Sequence, residues 1–242
     1  LASGAVGASA VRLSRSRRIV SVYEAFDWMM PGQFEAFAHR KAFCERQVRE
    51  GIAGGVTQVL VLGAGYDTMG WRLAPEFTKV NFFEIDHPAT ATLKAKGIEV
   101  MGPRDNLYLI SEDLGKRKLV DVLEVNDSWD SKMQTVIVAE GLLMYLSPKA
   151  VRDLFKQCAV ISGPGSRIAF TYVATRADGR PDAGRWTGLT MWILKVTGEP
   201  WLWSIQPEKL GRFLIETGWE NSRELVGELD KHGVEFFNVA TK

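Results

Sequence analysis

Short apolar runs recur along the chain: Val59 to Leu62, Val80 to Ile85, Leu107 to Ile110, Gln134 to Ala139 and Arg167 to Val173. The wholly apolar one, Val59 to Leu62, reads as a strand buried on both faces at the centre of a parallel sheet, and the others read as further strands. Between and around them the spacing turns helical. Gln33 opens a pattern with Phe34, Phe37, Lys41, Cys44 and Val48 at mixed three and four spacing, which Gly51 and Gly54-Gly55 end. Thr68 to Leu73 begins another helix, cut short before Pro75, and Ser147-Pro148 starts one through Val151, Leu154 and Phe155 to Val160, with serine as cap and proline at the first position. Pro207 to Thr217 with Gly218 behind it is a further helix, and Asn221 to Val226 and Val234 to Val239 are strand candidates. Alternating strands and helices predict an α/β fold: a doubly wound, mostly parallel sheet of about seven strands ending in a hairpin-like pair.

At 242 residues the chain is long enough for one such domain and short for two. No repeat or linker divides it, so residues 1–242 are expected to form a single domain. Its first 50 residues, with an aromatic and methionine-rich stretch from Tyr23 to Met30 broken by Pro31-Gly32, are expected to form an N-terminal helical cap. Residues 174–206 are the least regular part. They hold Trp186, Trp192, Trp201 and Trp203, half of the eight tryptophans, and read as a lid or substrate wall inserted after strand five.

The first strand runs straight into Gly63-Ala64-Gly65, a corner where a ligand can approach the backbone closely. A dinucleotide fingerprint would continue G-x-G-x-x-G, but its third position is Thr68 and the next glycine, Gly70, comes two places late. Asp67 lies inside the loop, where its carboxylate would repel a pyrophosphate. A cationic, phosphate-free cofactor such as S-adenosylmethionine suits this corner better than NAD. The second strand finishes on Glu84, Asp86 and His87-Pro88, and Glu84 is taken as the acid that accepts the hydroxyls of a nucleoside ribose. After the third strand, Asp113 can accept a bond from an adenine amino group and Leu114 can pack on the ring. Aspartate after a strand is also a common helix cap or turn residue. The fourth strand ends on Glu140, beside the switch point of the sheet, where it looks into the crevice.

The charge balance, 30 Lys and Arg against 29 Asp and Glu, provides no global field toward nucleic acid or an anionic membrane. Cys44 and Cys158 lie far apart and match no metal spacing, and the three histidines form no cluster, so no metal site is expected and a reducing, cytoplasmic setting is. No apolar run is long enough to span a membrane. Residues 1–20, with Arg12, Arg15, Arg17 and Arg18 and no acid, read as an arginine-bearing first helix over the site, with a transit peptide as the alternative.

Five motifs in order, HRKAF, VLVLGAGYDTMGWRL, FFEIDHP, SEDL and VAEGLLMYL, resemble those of the leucine carboxyl methyltransferase-like family of S-adenosylmethionine-dependent O-methyltransferases, which includes bacterial members linked to polyketide metabolism. The resemblance covers roughly residues 36 to 160. It implies a class I methyltransferase, Rossmann-like fold and S-adenosylmethionine as cofactor. It also implies that Arg40 pairs with the methionine carboxylate, Gly63 and Gly65 leave room for the methionine chain, Glu84 holds the ribose, Asp113 and Leu114 hold the adenine, and Glu140 faces the ammonium; Ala64 and Asp67 of the same loop are counted with the cofactor-binding residues. An arginine for the carboxylate and carboxylates for the ammonium agree with the charges of that cofactor. The segment 174–206 matches no substrate-specific pattern, so the acceptor is a carboxylate or hydroxyl of a small molecule or a peptide C-terminus. A carboxylate acceptor needs no general base. A hydroxyl would, and His87 or Tyr145 are the nearest candidates. The alternatives are an NAD-dependent oxidoreductase of the same broad fold and a binding protein that keeps the cofactor without catalysis.

Overall fold

The structure is a computed structural model and describes residues 33–184, 187–198, 200–221, 228–229 and 234–242. Strands β1 (Gln58–Leu62), β2 (Asn81–Asp86), β3 (Leu107–Ser111), β4 (Thr135–Ala139) and β5 (Arg167–Val173) are mutually parallel in the order β3-β2-β1-β4-β5. The sheet continues into β8 (Glu235–Thr241), antiparallel to β5 along its whole length. Two short strands, β6 (Glu220–Asn221) and β7 (Glu228–Leu229), pair successive stretches of the free edge of β8, so the sheet is seven strands wide. The expected doubly wound, mostly parallel sheet is what forms.

Side-chain alternation explains the two layers. Along β1 and β4, Leu60, Leu62, Ile137 and Ala139 face one side and Val59, Val61, Val136 and Val138 the other, and all are buried. The first set packs on α4 (Leu119–Leu123), α5 (Pro148–Val160) and α7 (Pro207–Glu216). The second packs on α1 (Gln33–Ala53) and α2 (Met69–Leu73). Helix α3 (Pro88–Met101) joins β2 to β3. Hydrophobic periodicity does not mark α3 or α4 in advance, because threonines and Gly97 blur the stripe of the one and the other has five residues.

Helix α1 runs antiparallel to β4 and lies close on it. A Cβ at Gly51 would come 2.2 Å from Val136 Cγ2, at the start of the strand, and Arg40, three turns earlier, reaches Glu140 just past its end. The buried stripe of this helix is Ala36, Phe43, Cys44, Gln47 and Val48. That corrects the expected one at Phe37, which is 41% exposed, and Lys41, which turns to the site. Ser147 Oγ caps α5 by accepting the Ala150 N–H, with Pro148 at the first position. The segment 174–206 is more regular than its composition suggests, since it carries helix α6 (Thr187–Thr197). Residues 1–32 of the expected helical cap, Trp186 and residues 222–226 of the penultimate strand candidate lie outside the described residues. No helix among the described residues is long and apolar enough to cross a membrane, and no group of three or more His, Cys, Asp or Glu among them could hold a metal ion.

Candidate functional site

The carboxyl ends of β1 to β4 open onto a cavity of about 550 Å³, within the usual range for small-molecule sites. Gly63, Asp86, His87, Asp113, Leu114 and Leu142 are among its walls, so it sits at the switch point where strand order reverses from β1 to β4.

The glycine corner is built as the sequence suggests, for a local reason. Gly63 and Gly65 have φ of +62° and +49°, a left-handed backbone that side chains disfavour, and a Cβ at Gly63 would lie 2.8 Å from Leu142 Cδ1. Backbone bonds from Gly63 and Ala64 to the Ile85 carbonyl fasten the turn to β2. The helix behind it is only the five-residue α2, and the N–H of Met69, its first residue, is taken by Asp67 Oδ1 at 2.5 Å. A start already capped by an aspartate is no cradle for phosphate.

Glu84 is not where it was expected. Its place in β2 turns the side chain away from the cavity into the layer under α2, where it is 3% exposed. There Oε2 lies 2.6 Å from Lys94 Nζ of α3, and the Gly70 N–H bonds the carboxylate. A Cβ at Gly70 would fall 2.5 Å from Glu84 Oε1, so that glycine makes room for the buried pair. Burial pushes the Glu84 carboxyl above its usual range, against the pull of Lys94. The β2 acid that lines the cavity is Asp86, two residues on, at the strand's last position. Its Oδ2 accepts the Gly65 N–H at 3.0 Å and its Oδ1 the His87 N–H at 2.8 Å. The signal was present in the sequence: Glu84 sits within an apolar run, whereas Asp86 ends it.

Asp113 and Leu114 do line the cavity. Asp113 also closes its own turn, accepting the Gly115 N–H at 2.9 Å and pairing with Lys116 at 3.1 Å, and that lysine holds its carboxyl below the usual range. His87 caps α3 by accepting the Ala89 N–H through Nδ1, and its half-exposed ring stands 3.8 Å from Asp113. Tyr145 ends a 3-10 turn, Leu143–Tyr145, and is 39% exposed outside the cavity walls, so the two expected acid-base candidates are not brought together there.

Beside the glycine corner a second group of charges converges. Arg40 Nε donates to Glu140 Oε1 at 2.9 Å, and Lys41 Nζ reaches the same oxygen at 3.0 Å and Asp67 Oδ2 at 2.5 Å. Adjacent helix residues point about 100° apart, yet both side chains are long enough to meet one carboxylate, so each faces the site. Arg40 Nη1 also donates to Glu235 Oε1 at 2.6 Å, a partner no sequence motif announced. Burial works to raise the Asp67 carboxyl, but Lys41 and the Met69 N–H outweigh it and hold it below the usual range. Cys44 lies buried near this cluster and its thiol is pushed up by that burial, as is the thiol of Cys158.

Comparison with known proteins shows the family and the fold. The sequence model of the leucine carboxyl methyltransferase family matches residues 7–159. A protein of Mycolicibacterium paratuberculosis named "Putative S-adenosyl-L-methionine-dependent methyltransferase" is 30% identical over 164 residues, 67% of this chain and 51% of that protein. The chain thus spans about half the length of the curated relatives it matches. Among solved structures, a "putative methyltransferase" from Thermobifida fusca superposes with a TM-score of 0.66 at 16% identity, over 94% of this chain and 89% of that one. Human N-acetylserotonin methyltransferase, solved in complex with SAM, gives 0.54 at 14% identity, over 97% and 65%. At these identities the two structures show the shared class I methyltransferase fold.

Proposed function

The chain belongs to the leucine carboxyl methyltransferase family, and on that premise we propose that it is an S-adenosylmethionine-dependent O-methyltransferase acting on a carboxylate or hydroxyl of a small molecule or peptide C-terminus. The observation that carries this reading is the donor set made by the cavity wall and by the charge cluster beside the glycine corner, which fits that cofactor. Asp86, already fixed by two backbone donors, is placed for ribose hydroxyls, and Asp113 with Leu114 for an adenine edge and face. The open backbone at Gly63 and Gly65 leaves room that a Cβ would fill. Arg40 and Lys41 are the cations for a carboxylate, and Glu140 and Asp67 the acids for an ammonium.

When bound, the cofactor would supply a sulfonium methyl group for in-line transfer to an oxygen nucleophile, with the C–S bond electrons leaving on the neutral thioether. The chain's own work is to hold the donor's two ends apart, keep the nucleophile opposite the sulfur and exclude water. A carboxylate acceptor requires nothing more. For a hydroxyl acceptor, His87 is the better placed of the two candidates because it lines the cavity. We assign the acceptor wall to residues 174–206, where α6 exposes Leu189, Trp192 and Val196 along one face. Two free, buried cysteines accord with a cytoplasmic, reducing setting.

The reading is tested by incubating the protein with methyl-labelled S-adenosylmethionine and a panel of carboxylic acids, phenols and peptides with free C-termini. Label is expected on oxygen, as a base-labile ester or a stable ether. Label found only on nitrogen or carbon acceptors would overturn it.

A further inference from the structure

Strand β8 is the one long strand that runs against the sheet, so its first residue, not its last, lies at the edge where the cavity opens. That residue is Glu235, paired in register with Val173 at the end of β5. It is 195 positions from Arg40 in sequence, yet the two side chains meet at 2.6 Å, and Glu235 is 8% exposed. Its second oxygen, Oε2, is buried without a hydrogen-bond partner among the described residues. A half-satisfied buried carboxylate is costly, and nothing in the packing of β8 calls for one.

What the glutamate does is immobilise a guanidinium. Arg40 Nε is held by Glu140 and Nη1 by Glu235, which fixes the plane of the group and leaves Nη2 outside both bonds. Phe37 lies under the same guanidinium, 4.9 Å from ring centroid to Cζ. An arginine held by two carboxylates and a ring keeps few of its rotamers, and a fork that is already oriented loses less freedom when it binds an anion.

We propose that Glu235 is a positioning residue of the methyl-donor site, which orients Arg40 so that its guanidinium is ready for the carboxylate of the cofactor's methionine end. The proposal rests on the S-adenosylmethionine reading given above. Glu235 touches no ligand itself; it acts through Arg40. Its loss is therefore felt only by ligands that carry the amino-acid carboxylate.

Calorimetry with three ligands separates this role from a structural one. S-adenosylmethionine and S-adenosylhomocysteine carry the carboxylate, and 5′-methylthioadenosine lacks the whole amino-acid end. Glu235→Gln should weaken the first two by about tenfold, the loss of one charge-assisted contact, and leave the third unchanged. Glu235→Asp, which keeps the charge on a shorter stem, should recover part of the loss. In an Arg40→Ala background, Glu235→Gln should have no further effect, since the group it orients is gone. Equal weakening of all three ligands, unchanged affinity for all three, or a full effect persisting without Arg40 would each overturn the proposal. Should Glu235→Gln fail to fold, Glu235→Asp decides it, measured with the three ligands alone and in the Arg40→Ala background: a partial loss confined to the two carboxylate-bearing ligands and absent without Arg40 is expected, and any other pattern overturns the proposal. A wild-type protein that binds none of the three ligands would instead overturn the cofactor reading.

Discussion

Replacing Glu84 by alanine separates structure from ligand binding in the second strand. In the folded chain Glu84 and Lys94 have side chains 2% and 3% exposed, with 2.6 Å between Oε2 and Nζ. Alanine at position 84 leaves the lysine ammonium buried without its paired carboxylate, its remaining hydrogen bond being the one to the Ala64 carbonyl at 3.5 Å. Breaking a buried pair in this way costs about 3 to 5 kcal/mol, against total stabilities of about 5 to 15 kcal/mol for domains. For a chain of this size each kcal/mol moves the melting temperature by about 2 °C, so the expected fall is about 6 to 10 °C. Affinity for S-adenosylmethionine, measured well below the transition, should change little, because the carboxylate at the cavity is Asp86. The double replacement Glu84→Leu with Lys94→Met removes both charges at similar volume and should regain most of the stability. Scanning calorimetry with and without ligand makes the measurement. A Glu84→Ala variant that melts like wild type yet no longer binds the cofactor would refute the reasoning.

Asp86→Asn keeps an acceptor for the Gly65 N–H but loses the charge and an acceptor oxygen, so it should weaken S-adenosylmethionine by about tenfold with little change in melting temperature, as titration calorimetry will show. Asp67 has its folded pKa below the unfolded value, so the stability it contributes is complete above about pH 4 and lost as pH falls through the folded pKa. The gap in melting temperature between wild type and Asp67→Asn should therefore be present at pH 7 and close in acid; a gap that widens in acid would contradict that sign. Cys44 and Cys158 are buried with thiols held protonated, so an aromatic disulfide reagent should leave them unmodified in the native protein and titrate both in denaturant. Fast native reaction of Cys44 would show that α1 opens readily.

Most of the fold was legible because β1 and β4 are buried on both faces and have wholly or almost wholly apolar cores, and Gly63 and Gly65, directly after β1, mark a corner with a left-handed backbone. Helix α3 was not legible, since a stripe of alanine and threonine with one buried lysine has no apolar contrast. At the site, Asp113, Leu114 and Glu140 could be placed from position after a strand. The choice between Glu84 and Asp86 could not be made from spacing alone, because both have the same parity in β2 and differ only in whether the sheet still covers them. Lys41 carried no mark of a site residue, because spacing along a helix fixes where the Cα lies and not how far a lysine reaches. Glu235 carried no signal at all: its role depends on β8 running backward, and direction in a sheet is a property of the assembled fold.

Titration of the intact protein with S-adenosylmethionine and, separately, with NAD tests the central claim most directly. The acid-capped glycine corner, the cavity acid Asp86 and the Arg40, Lys41 and Glu140 cluster are together suited to a ligand with a carboxylate, an ammonium and no phosphate. A saturable isotherm with one site for S-adenosylmethionine and no heat of binding for NAD is the expected result; binding of NAD with no response to S-adenosylmethionine would contradict it.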